Sequence, residues 1–141
     1  MKYDNKTNGS IARTMAKQLW GYVNSQKKIL DGIWDFDCAG HGGYIVDINL
    51  YPKCESWKDI VYVNYNKGTY YPSKQHFAVF EEDCDWAILE YLYPKVAEKK
   101  YNNKKYWTEN FYIKYPKFED YFNNSVISCL KNWNPEVLKT A

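Results

Sequence analysis

The sequence predicts an α+β fold, with a small antiparallel sheet of about four strands flanked by an N-terminal helix and C-terminal helices. Three observations predict it. Ile11, Met15, Leu19 and Val23 recur at every fourth residue, the spacing of one helical face. Four short runs between residues 33 and 80 are β-rich or alternate apolar with polar side chains, and Gly, Asn and Asp punctuate them. From Trp86 onward apolar residues return to helical spacing. Strands grouped between helices, rather than alternating with them, specify α+β.

The elements follow in order. Ser10 is an expected N-cap, and the four-residue period predicts a helix over about 10–27. Asp31-Gly32 signals a turn. Residues 33–37 (IWDFD) alternate and read as a strand, and 44–50 (YIVDINL) as the returning strand. Between them lies a turn of small residues, Cys38-Ala39-Gly40-His41-Gly42-Gly43. Residues 59–66 give a third strand, ending at Asn66-Lys67-Gly68, and 75–80 a fourth. Asp83 is an expected N-cap for a helix over about 84–99, whose apolar stripe is Trp86, Ile88, Leu89, Leu92, Tyr93 and Val96. Pro94 should kink it or end it early. Residues 104–116 hold a short helix or loop. Phe118, Tyr121, Phe122, Ile127, Cys129, Leu130 and Trp133 predict a final helix over 117–133, stopped by Asn134-Pro135.

Composition narrows the class. A chain of 141 residues with 45% apolar and 19% aromatic residues forms a packed core, read as a single domain over 1–141. No apolar run reaches the roughly 18 residues that a membrane span needs. The N-terminal MKYDNKTNGSIARTMAKQLW has no apolar signal-peptide core, so a cytoplasmic protein with no membrane partner is expected. Cys38, Cys54, Cys84 and Cys129 are scattered without a CxxC pair, which predicts free thiols and no zinc knuckle. Neither GxGxxG nor a P-loop occurs, so no cofactor and no metal is expected. The net charge is +2, carried by 18 Lys and a single Arg. Arg reads guanine and phosphate bidentately, and its scarcity argues against sequence-specific DNA readout. Abundant Lys, Asn and Tyr also fit AT-rich coding.

Three features can carry chemistry. In Gly40-His41-Gly42-Gly43 the glycines permit positive φ and close backbone approach, or they serve only a tight hairpin. Glu81, Glu82, Asp83, Asp85 and Trp86 surround Cys84. Acids in a first helical turn complement the macrodipole, yet four exceed what capping needs, and they suit a cationic partner or, by ligand type, a divalent metal, although a linear run without a turn glycine is not a calcium loop. Cys84 at a helix start would be a nucleophile only if its thiolate were favoured, and the acids oppose that. His41 is the candidate base, with Asp47 or Asp85 available to orient it. The alternative is a small buried thiol. Third, residues 95–117 interleave lysines with aromatics. Lys99, Lys100, Lys104, Lys105, Tyr106 and Trp107 are the candidates for a single-strand groove, where bases stack and phosphates pair. The alternative is a solvated lysine face over inward-packed rings.

Two resemblances follow from these residues. A strand opened by His-Gly-Gly-Tyr and a later Asp-Cys at a helix start resemble circularly permuted papain-like enzymes, which implies a Cys-His hydrolase or transferase with Cys84 attacking and His41 as base. More closely, IWDFDCAGHGGY, FEEDCDWAIL and Tyr93-Pro94 resemble a small uncharacterised domain family of phage and plasmid proteins, over about residues 15–97. The sequence departs from that pattern at Asn49-Leu50-Tyr51-Pro52-Lys53. The resemblance carries no activity. It implies a mobile genetic element, and hence a protein that binds a host protein or defence complex, of the anti-CRISPR or anti-restriction type. The spatial expectation is that the His41 turn and the acidic segment lie together.

Overall fold

The computed structural model describes residues 5–57, 62–64, 76–83 and 85–139. It is α+β, as the sequence predicts, and it divides into two compact units, Met1–Asp83 and Cys84–Ala141.

In the first unit, helix α1 runs over Asn5–Trp20. It starts earlier and stops earlier than the 10–27 expected. Ser10 therefore lies inside the helix and is not its N-cap. The stop has a local cause: Gly21 takes φ +87°, and its amide donates to the Lys17 carbonyl at 3.0 Å, a glycine helix end. The buried face of α1 is Ile11, Ala12, Met15, Ala16 and Trp20, while Leu19 is exposed. Residues beyond Gly21 become strand β1, Val23–Leu30.

β1 turns at Asp31-Gly32, where Gly32 has φ +82°, into β2, Ile33–Cys38. β3, Gly42–Asp47, is buried along its whole length. A 3₁₀ segment follows at Pro52–Trp57. β4 is Tyr62–Asn64 and β5 is His76–Glu81. The strands lie in the order β1-β2-β3-β5-β4 and every pairing is antiparallel. The rest of the third expected strand, residues 59–61 and 65–66, lies outside the described residues.

α1 packs on β1, β2 and β3. The core on that side joins its buried face to Val23, Trp34, Phe36, Cys38, Ile45, Phe77 and Val79. The alternate residues Ile33, Tyr44, Val46, Ala78 and Phe80 are buried as well, so the central strands are shielded on both faces. At the rim of this core, Asp47 is 1% exposed. Its carboxylate accepts from Asn8 Nδ2 at 2.9 Å and from the Asn49 amide at 3.0 Å.

In the second unit, α2 is Trp86–Leu92 and α3 is Pro94–Asn102. The expected helix over 84–99 is thus split where Pro94 stands, with Pro at the first turn of α3. Its N-cap is Asp85, not Asp83. α4 is Glu109–Lys114, α5 is Phe118–Tyr121 and α6 is Ser128–Trp133. A π-helical turn, Phe122–Ile127, joins α5 to α6. It corrects the apolar stripe of the final helix: Tyr121, Val126 and Leu130 are buried, Ile127 is only partly so, and Trp133 is exposed. A 3₁₀ segment, Pro135–Lys139, closes the chain's described part.

Candidate functional site

The His-Gly-Gly turn is built by backbone pairing. Ala39 and Gly40 amides donate to the Tyr22 and Trp20 carbonyls, both at 2.8 Å, and the Cys38 amide donates to the His41 carbonyl at 3.0 Å. The turn is thereby fixed to the end of α1. Gly42 and Gly43 then enter β3 between β2 and β5. A Cβ on Gly42 would stand 2.3 Å from the Phe36 carbonyl oxygen, and one on Gly43 2.1 Å from that of Phe80. Gly43 also has φ +148°. Both glycines are buried, and their small size admits the neighbouring strands.

The acidic segment leaves β5 directly beside this turn. Glu81 pairs with Gly43 in the sheet, and the Glu82 amide donates to the Gly42 carbonyl at 3.0 Å. His41 Nδ1 lies 3.7 Å from Asp83 Oδ2, with both side chains more than half exposed. The expected closeness of turn and acids is therefore met for Glu81, Glu82 and Asp83. All three are exposed and make an acidic lip, of which Asp83 faces the imidazole. The carboxylate facing His41 is Asp83, the residue expected as a helix cap. Asp47 is directed instead to Asn8 and Asn49.

The other residues of the segment differ in setting. Asp85 is buried and Trp86 is half-buried. Cys84 lies outside the described residues. Burial pushes the Cys38 thiol up, reinforced by the Asp37 carboxylate, opposed by Arg13, and raised more weakly by Glu82. Among the described residues, no group of three or more His, Cys, Asp or Glu side chains is placed to hold a metal ion.

The lysine-aromatic segment forms a ring cluster in the second unit. Trp107 stacks on Phe111 with centroids 3.8 Å apart and planes 7° from parallel. Tyr101 meets Phe111, Tyr112, Phe118 and Tyr121 within 6 Å. Polar tips turn inward: Tyr101 donates to the Tyr115 carbonyl at 2.6 Å, Tyr112 to the Tyr101 carbonyl at 2.6 Å, and Trp107 Nε1 to the Lys100 carbonyl at 2.9 Å. Lys100 is drawn in as well. Its Nζ lies 3.9 Å from Glu90 Oε2 and over the rings of Tyr106 and Trp107. Lys99, Lys104 and Lys105 remain exposed, while Tyr106 and Trp107 are half-buried. The cluster thus combines a packed aromatic scaffold with a lysine-bearing surface.

A family model for a domain of unknown function, DUF7007, matches residues 13–141. No curated protein and no solved structure matches the chain. No helix of the described residues is long and apolar enough to cross a membrane.

Proposed function

The chain belongs to the DUF7007 family, a domain of unknown function, and we propose that it acts by binding another protein through its acidic lip. One observation carries the reading. Glu81, Glu82 and Asp83 are exposed, yet the backbone beneath them is fixed by the Glu81–Gly43 pairing and the Glu82 amide bond to Gly42. Like charges on a rigid support lose little freedom on binding, and they suit a partner with a basic groove. Such a groove is the usual seat of nucleic-acid phosphates. The acids would mimic those phosphates on a host defence complex of CRISPR or restriction type. Under this reading the protein is an accessory product of a phage or other mobile element, working in the host cytoplasm.

The test is affinity capture from host extract with the native protein and with a variant carrying Glu81→Gln, Glu82→Gln and Asp83→Asn. A partner held by the native lip, released by the variant and displaced by competing nucleic acid supports the reading. A partner indifferent to the three substitutions, or native protein that leaves CRISPR and restriction immunity intact, overturns it.

The His41–Asp83 approach favours a second reading, a Cys-His hydrolase or transferase with Cys84 as nucleophile. A carboxylate facing Nδ1 leaves Nε2 available for proton transfer. Labelling with iodoacetamide at neutral pH decides it. Cys84 reacting no faster than a free thiol removes the enzyme.

A further inference from the structure

The second unit carries an open cleft of about 400 Å³ lined by Lys104, Trp107, Glu109 and Tyr112, and the acidic lip has no part in it. Its volume falls in the range of about 300–1,000 Å³ typical of small-ligand sites. The two rings present hydrocarbon surface, because the Trp107 Nε1 and the Tyr112 hydroxyl are both bonded to backbone carbonyls. Trp107 is also held flat against Phe111. The aromatic wall is thus set before any ligand arrives. On its rim stand one ammonium, Lys104, and one carboxylate, Glu109, both exposed.

Each part selects something different. An aromatic wall takes the apolar body of a flat ring. Lys104 takes an anionic group such as phosphate. Glu109 is an acceptor only, so it takes an edge rich in donors. Among the bases, guanine presents two adjacent donors, N1–H and the N2 amino group, to one carboxylate. Cytosine and adenine set an acceptor next to their amino group, and uracil flanks its single N–H with carbonyls. A continuous phosphate track would also be repelled by Glu109, which points to a site for one nucleotide. We propose that this cleft binds a guanine nucleotide, whether free or as one unpaired residue of a single strand.

Calorimetric titration of the full chain with GMP, AMP, CMP and UMP tests it, alongside a short single strand containing one guanine. GMP binding about tenfold or more tighter than the other three is expected, the size set by paired hydrogen bonds to a charged acceptor. Glu109→Gln should remove that preference, and Lys104→Ala should weaken GMP while leaving guanosine unchanged. Both side chains are exposed, so circular dichroism of the variants should match the native protein. A strand that binds at least as tightly as GMP identifies the unpaired residue of a single strand as the source, and one that binds more weakly identifies the free nucleotide. Failure to bind GMP, equal affinity for all four nucleotides, or GMP affinity indifferent to both substitutions overturns the proposal. None of these results depends on the acidic lip.

Discussion

Tyr121 donates a 2.6 Å hydrogen bond from its phenolic oxygen to Oε1 of Glu90, whose side chain is wholly shielded from water. Lys100 approaches the other carboxylate oxygen at 3.9 Å. A buried carboxylate without donors would be expensive, so these contacts hold α2, α3 and α5 in one arrangement. Burial, reinforced by Glu90, pushes the Tyr121 hydroxyl above its ordinary range.

Tyr121→Phe should therefore destabilise the protein by about 1–3 kcal/mol, the cost of a buried charged acceptor losing a donor. Urea unfolding measures it. Glu90→Gln keeps an acceptor for Tyr121 but removes the counter-charge of the largely buried Lys100, so it should cost at least as much. The native protein should also lose stability above pH 10, because the unfolded tyrosine ionises there while the folded one holds its proton. Tyr121→Phe should reduce that alkaline loss.

Asp47 gives a second pH dependence. Burial raises its carboxyl above the usual 3.8, opposed by the bonds from Asn49 and Asn8. A raised acid keeps its proton longer in the folded state. Its contribution is complete below pH 3.8 and declines as pH rises through the folded value. Asp47→Asn should flatten that slope in melting curves taken from pH 3 to 7. An amide can still accept from Asn49, and a flipped Asn8 can accept from it. An unchanged slope would assign the dependence to other groups.

The strands around Asp47 were legible because Ile33–Cys38 and Gly42–Asp47 alternate or run apolar between glycine turns. β1 was not, because VNSQKKIL lies at the sheet edge, where Lys27 and Lys28 face solvent. Its first residue, Val23, also continued the four-residue period of α1. Only Gly21 marked the break, and a single glycine is a weak stop signal beside a regular period. At the site, adjacency of turn and acids was foreseeable because both flank strands of one small sheet. That Asp83 rather than Asp47 faces His41 depends on the chain path after β5, which no periodicity records.

Gly42→Ala and Gly43→Ala should both disrupt the sheet, and the second more severely. Each added methyl would meet a carbonyl oxygen well inside contact distance, and Gly43 has positive φ besides. Backbone strain alone costs about 1–3 kcal/mol. Thermal melts should show both losses, with Gly40→Ala milder, since its Cβ would meet the Trp20 carbonyl only at 3.0 Å.

Neutralising the lip should leave the fold intact. Glu81, Glu82 and Asp83 are exposed and carry like charges, so replacing them with amides relieves repulsion and removes only the exposed His41–Asp83 pair. Such exposed pairs contribute about 0–1 kcal/mol. The triple variant should unfold within about 0.5 kcal/mol of the native protein. A larger loss would mean that the acids stabilise the turn, and any binding defect would then be indirect.

The π-helical turn yields the last prediction. Tyr121 and Val126 are both buried, five residues apart. In an α-helix those positions would diverge by about 140°. The i→i+5 bonding of Phe122–Ile127 absorbs one extra residue and returns both to one face. Deleting the exposed Asn124 would leave the pair four apart and Leu130 four further on, a regular α stripe. The deletion variant should keep native stability and gain helical signal at 222 nm. Inserting Ala after Asn124 should instead rotate Tyr121 away from Glu90 and destabilise the unit. A deletion as damaging as the insertion would show that the π turn itself, and not only the stripe it restores, is required by the packing.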